Sequence, residues 1–172
     1  MANMYIDECK EGRYIFAAII VEEHAGPRLR KALRQHVESG RNIHFSKEKD
    51  SRKKQLLAEF ESLGFRAVVF CVDGKQNFET RKGCIDQALK FASENSISKV
   101  TFETDESILK LEKLYVADYL RTNGLNETLG FDHRKKHEEP LLWVSDAIAW
   151  CVFRGGDWER RIAGILARGK SS

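Results

Sequence analysis

Carboxylates stand at the ends of short apolar runs in this chain: Asp7 and Glu8 in MYIDEC, Glu103 and Asp105 in KVTFETD, and Asp132 in TLGFDH. A further one, Asp146, is the single ionisable side chain in PLLWVSDAIAWCVF. Several carboxylates gathered from separate elements make a hard, oxygen-rich site suited to Mg²⁺ or Mn²⁺ rather than zinc. Two such ions about 4 Å apart activate a water and stabilise the leaving oxygen of a phosphodiester. The expected chemistry is that of a nuclease.

Spacing supports convergence. In a strand Glu103 and Asp105 share a face, whereas Asp7 and Glu8 point to opposite faces, so each strand can deliver one acid to a common site. At helical spacing Asp146 falls on the stripe of Trp143, Trp150 and Phe153, the face with the largest rings. A carboxylate buried there needs hydrogen bonds, a cation or a raised pKa. Each acid also has a plainer use: Asp7 could cap a turn, Asp105 could cap a helix beginning at Ser107, Glu103 could pair with a lysine, and Asp146 with an arginine.

Other residues fit the same chemistry. His44, beside Lys47 in IHFSKEK, could orient a phosphate or move a proton. DHRKKH (132–137) offers phosphate clamping by Arg134 and Lys135, with His133 near the metals, or a solvated loop. Trp158 in RGGDWERR could stack on a base or anchor the last helix. The sequence has no Walker loop, G-x-G-x-x-G or G-x-S-x-G, which argues against nucleotide-triphosphate hydrolysis, dinucleotide binding and α/β-hydrolase chemistry.

The elements that must position these residues are legible from periodicity. Residues 4–9 and 13–21 predict a hairpin of strands, followed by a basic helix from Gly26 to about Ser39. RNIHF predicts a short strand, 51–64 a helix with Ser51 as its N-cap, and FRAVVFCVD a central strand covered on both faces. A helix over about 77–95, a strand in ISKVTFETD, and a helix from Ser107 to about Asn123 with Ile108, Leu111, Tyr115 and Leu120 buried come next. TLGFDH predicts a short strand, and helices over 141–153 and 158–166 close the chain. This order predicts one α/β domain over 1–172, with a mixed central sheet that starts from an antiparallel hairpin and carries helices on both faces.

Length and composition agree with a globular chain: 172 residues, 42% hydrophobic and 32% charged, with two prolines. No apolar run approaches the ~20 residues of a membrane span, and MANMYIDECKEG is unlike a signal peptide, so a cytoplasmic location is expected. The four cysteines form no C-x-x-C pair and read as free thiols. The net charge of +3 hides an asymmetry, because ten Lys/Arg between Arg28 and Lys54 face only Glu38, Glu48 and Asp50. Lys47, Arg52 and Lys53 from that stretch are candidates for tracking a nucleic-acid backbone.

The pattern resembles the ribonuclease H-like superfamily, with YIDEC, FETDE and WVSDAIAW in the places of its first-strand acid, later-strand acid and late-helix aspartate. More narrowly it is similar to a bacterial, largely actinobacterial group with an IDE strand near the start and a D-A-x-A-W-C helix before GGDW; IHFSKEKDSRKKQ and EPLLWVSDAIAWCVFRGGDWERRI are its most specific pieces. The resemblance implies a ribonuclease H-like fold and a metal site on Asp7, Glu103 or Asp105, and Asp146, with Glu8 and Asp132 in support. The chain departs from the ribonuclease H pattern in placing two helices before FRAVVFCVD and in offering only Glu48 or Glu59 for the usual helix-borne glutamate. The expected partner is RNA, DNA or a hybrid. The rival expectation is a non-catalytic nucleic-acid-binding or interaction protein, such as a phage-defence or toxin–antitoxin component.

Overall fold

Two strands rich in β-branched and aromatic residues, β1 (Ala2–Cys9) and β2 (Tyr14–Glu22), pair antiparallel around the turn at Gly12. In the computed structural model, which describes residues 1–170, they form the middle of a five-stranded mixed sheet. Its other strands are β3 (Arg66–Val72), β4 (Ile97–Glu103) and β5 (Gly130–Arg134), in the order β3-β2-β1-β4-β5. β3 is antiparallel to β2, while β4 and β5 run parallel to β1.

Alternation along the strands divides the core into two layers. Tyr5, Ile15, Ala17 and Ile19 pack with α1 (Gly26–Arg34), α2 (Asp50–Ser62), α5 (Leu141–Arg154) and α7 (Ala163–Lys170). Met4, Ile6, Phe16 and Ala18 pack with α3 (Phe78–Glu94) and α4 (Leu109–Thr122) on the opposite face. Asn77 caps α3 by accepting the Thr80 N–H at 3.0 Å. Among the described residues no helix is long and apolar enough to cross a membrane. All four cysteines are free, Cys84 and Cys151 buried and Cys9 and Cys71 partly so.

Several expectations need correction. RNIHF is not a strand: residues 41–44 are irregular and Phe45–Lys47 forms one 3₁₀ turn, with Ile43 and Phe45 buried against the helices of the α5 layer and not paired into the sheet. The basic helix stops at Arg34, short of Ser39, and α2 starts at Asp50, so Lys49 rather than Ser51 holds its N-cap position. FRAVVFCVD lies at an edge of the sheet, not its centre. Its apolar run is explained by α3 and α7 packing on it. Leu111 is 56% exposed, and Val116, Leu120 and the carboxylate-bearing Glu112 occupy the buried stripe of α4 instead.

The last expected helix is two, α6 (Gly156–Arg161) and α7, divided at Ile162, while the expected break after α5 falls at Gly155 and Gly156, both at positive φ (67° and 57°). Trp158 meets Trp150 edge to face at 5.1 Å, which anchors this end to α5. α7 then closes on β3 so tightly that a Cβ on Gly169 would lie 1.9 Å from the Ala67 carbonyl oxygen. Gly169→Ala should therefore cost about 1–3 kcal/mol, read as a lower denaturant midpoint with an unchanged slope.

Candidate metal centre

The parallel pairing of β1 and β4 sets Tyr5 beside Thr101 and Ile6 beside Phe102. One step further along, Asp7, two residues before the end of β1, comes level with Glu103, the last residue of β4. Glu8 starts toward the other layer, yet one oxygen from each of Asp7, Glu8 and Glu103 lies within 4.8 Å of the others. Asp7 is 2% exposed. Its Oδ1 accepts the Glu8 backbone N–H at 2.7 Å.

The fourth acid arrives through a cation. Lys136 Nζ lies 2.9 Å from Asp7 Oδ2 and 3.4 Å from Asp146 Oδ1, so Asp146 faces the strand acids across an ammonium. Lys136 is thus the partner of the buried Asp7 Oδ2. The pair is ionic. Trp143 Nε1 donates to the Lys136 carbonyl at 2.7 Å, so α5 also fixes the backbone of that lysine.

Burial, reinforced by Asp146, Glu8 and Glu103, pushes the Asp7 carboxyl well above the usual range despite Lys136. Burial and the charge of Glu8 push Glu103 up to about 7. Burial works against the Lys136 ammonium, but Asp7 and Asp146 outweigh it and raise its pKa. An acid whose pKa is raised on folding favours the folded state at low pH and loses that contribution as pH climbs from its ordinary value to its folded one. For Glu103 that window runs from 4.5 to about 7. Glu103→Gln should thus leave the melting temperature unchanged near pH 4 and raise it by about 2–4 °C near pH 8 in metal-free buffer. A variant less stable than wild type at both pH values would contradict this.

The remaining candidates separate into distinct places. β4 ends at Glu103, so strand parity does not extend to Asp105. That residue sits in the following turn, where Oδ1 accepts the Ser107 N–H at 3.1 Å and the Ser107 hydroxyl at 2.6 Å, and Oδ2 accepts from Lys10 at 2.8 Å. These bonds hold its carboxyl down at about 2. Asp132 pairs in register with Thr101, one inward-facing position short of Glu103, and binds Arg134 at 2.9 Å and Lys99 at 3.5 Å. Two residues of strand put it about 7 Å short of the cluster along the sheet.

His44 and Lys47 line a separate cavity of about 570 Å³ with Glu38 and Arg41. Ser46 is the residue of that segment that borders the acids, in a cavity of about 260 Å³ with Glu8, Asp146 and Trp150. Lys53 is 5% exposed, with its ammonium 4.6 Å over the Trp150 ring and bonded to the Glu48 carbonyl, so it is a core residue and not a surface phosphate contact. Arg52 donates to the His36 carbonyl at 2.6 Å. Arg134 is exposed, and Lys135 pairs with Glu106 at 3.1 Å. Of the ten cations from Arg28 to Lys54, seven are exposed, which leaves a basic surface even without Lys53.

A buried network backs the site from the other layer. Arg81, 1% exposed, pairs with Glu8 at 2.9 Å and with Glu112 through both of its carboxylate oxygens, and donates to the Tyr14 hydroxyl at 3.2 Å. His133 Nε2 lies 3.0 Å from Glu112 Oε1, its ring stacked on Phe102 and its Nδ1 buried without a partner. His133 therefore faces away from Asp7. Lys136, Arg81 and Glu112 were not singled out by sequence reasoning; the usable signal was a glutamate at a position of α4 where the apolar stripe is interrupted.

No protein-family model matches this chain, and no curated protein matches it. Its chemistry is therefore judged from its own donor atoms, which at this site are carboxylate oxygens fitted to a hard divalent cation.

Proposed function

We propose that the chain is a divalent-metal-dependent nuclease of ribonuclease H-like architecture. The observation that carries this reading is the meeting of Asp7, Glu8 and Glu103 at the ends of β1 and β4, with Asp146 of α5 opposite them. What supports the architecture is a mixed sheet in which an antiparallel hairpin lies beside two parallel strands. Asp7, Glu103 and Asp146 would hold Mg²⁺ or Mn²⁺, with Glu8 in support. When bound, the metal supplies an activated water and charge stabilisation at the leaving oxygen.

The protein's own residues do the rest. Exposed cations between Arg28 and Lys54, with Arg134 and Lys135, hold the phosphate backbone of RNA, DNA or a hybrid. Arg81 holds Glu8 in place from behind, and Lys10, 3.4 Å from Glu8 and 2.8 Å from Asp105, closes the rim. Calorimetric titration with Mn²⁺, paired with cleavage assays on single-stranded, double-stranded and hybrid substrates, tests the reading. Saturable metal binding with metal-dependent cleavage is expected.

One observation favours a second reading. Lys136 already supplies a positive charge to the acids, which is what a non-catalytic nucleic-acid-binding protein would need in order to fold without metal. That protein would bind nucleic acid in a salt-dependent way through the basic surface and show no heat of Mn²⁺ binding at millimolar metal.

A further inference from the structure

We infer that Lys136 is a tethered counter-ion: its ammonium holds the place of the divalent metal among Asp7, Glu103 and Asp146, and leaves by side-chain rotation when the metal enters. This deepens the metal reading above and rests on it. Of the three successive cations in 134–136, Arg134 and Lys135 make exposed pairs with Asp132 and Glu106, while Lys136 alone turns inward to the acids. It bridges carboxylates from two different elements, as a metal would.

The fit is that of a substitute. Lys136 brings one positive charge to Asp7, Asp146 and Glu103, and Arg81, which also acts on Glu103, is already paired with Glu8 and Glu112, so the pocket keeps an excess of negative charge that a divalent ion satisfies better. Asp7 Oδ2, buried and touched by the ammonium at 2.9 Å, is the oxygen that a metal ion would take over from it.

Exchange needs little motion. Trp143 Nε1 holds the Lys136 carbonyl, and the Glu138 and Glu139 N–H groups bond the Lys135 carbonyl at 3.0 and 3.1 Å, so the loop backbone is fixed. The side chain is 24% exposed, which gives it a route to solvent. Once displaced, the ammonium remains within about one side-chain length, roughly 6 Å, of the centre and beside Arg134 and Lys135, where a phosphodiester would meet it.

The test is Mn²⁺ titration by calorimetry on wild type, Lys136→Met and Lys136→Arg, in full-length protein at about pH 8, where protons compete least with metal. Lys136→Met should bind Mn²⁺ at least about tenfold more tightly than wild type, and Lys136→Arg should stay as weak as wild type or weaker. In metal-free buffer Lys136→Met should melt lower, and Mn²⁺ should raise its melting temperature by more than it raises that of wild type. Equal or weaker Mn²⁺ binding by Lys136→Met, with wild type binding normally, overturns the counter-ion role and leaves the metal centre standing; no binding by any of the three removes both. If Lys136→Met fails to fold, NMR of the Lys136 side-chain resonance in wild type decides: Mg²⁺ should move it to the position of a solvent-exposed lysine, and an unmoved signal at saturating Mg²⁺ overturns the inference.

Discussion

Asp7→Asn should abolish Mn²⁺ binding and lower cleavage by more than about 10²-fold, because losing even an outer partner of a metal ligand costs 10–100-fold and Asp7 is proposed as a ligand itself. The same substitution should leave the metal-free protein as stable as wild type or more so. Burial raises the Asp7 pKa, so holding that carboxylate ionised costs the fold free energy that neutral asparagine does not, and Lys136 keeps Asp146 as a partner. An intact melting transition with no Mn²⁺-induced shift separates a lost ligand from a lost fold. Asp146→Asn should behave alike in metal binding and cleavage. Cleavage surviving in both variants would sink the nuclease assignment.

Arg81→Met should be the most damaging single change to stability. It strips the guanidinium that bridges Glu8 and Glu112, which are 9% and 1% exposed at their side chains, and leaves the Tyr14 hydroxyl without that donor. Removing one partner of a buried ion pair costs about 3–5 kcal/mol, which for a chain of this size lowers the melting temperature by roughly 10 °C. The pH dependence has a definite sign. Burial opposes the Glu112 carboxylate, but His133 and Arg81 together hold its pKa below the ordinary 4.5. Its stabilising contribution is present above that value and lost as pH falls through the depressed one. The gap between wild type and Arg81→Met should therefore be widest near neutral pH and narrow in acid. A second substitution, Glu112→Leu, should recover part of the loss, since it removes the charge that the first one stranded.

Much of this architecture was legible in the residues. The hairpin, α3, the acids near the strand ends and the carboxylate of α5 all follow from periodicity and local chemistry. What periodicity lacks is pairing. An apolar run such as FRAVVFCVD looks alike whether strands flank it or helices cover it, and here α3 and α7 cover an edge. Asp132 and Glu103 both sit near strand ends, but the register of β4 against β5 sets Asp132 opposite Thr101 and Arg134 opposite Glu103. Register depends on tertiary fit, which single strands do not encode.

The charged residues were harder. Lys53 reads as one more cation in a basic run, and only the Trp150 ring beneath its ammonium makes it a core residue. Lys136 is one of three adjacent basic residues, with nothing local to say which turns inward. Arg81 and Glu112 stand 31 positions apart on different helices, so neither announces the other.

The hold of α5 on Lys136 also decides where this chain can change length. Trp143 grips the lysine by its carbonyl and Asp146, three residues on, reaches its ammonium, so the segment joining β5 to α5 is gauged against a single helix turn. One residue inserted between Arg134 and Pro140 would present a different side chain to the acids. The loop around Gly40, whose Cβ position meets nothing within 4 Å, carries no such gauge. Relatives of this protein should vary freely in length there and keep the β5–α5 connection to the residue.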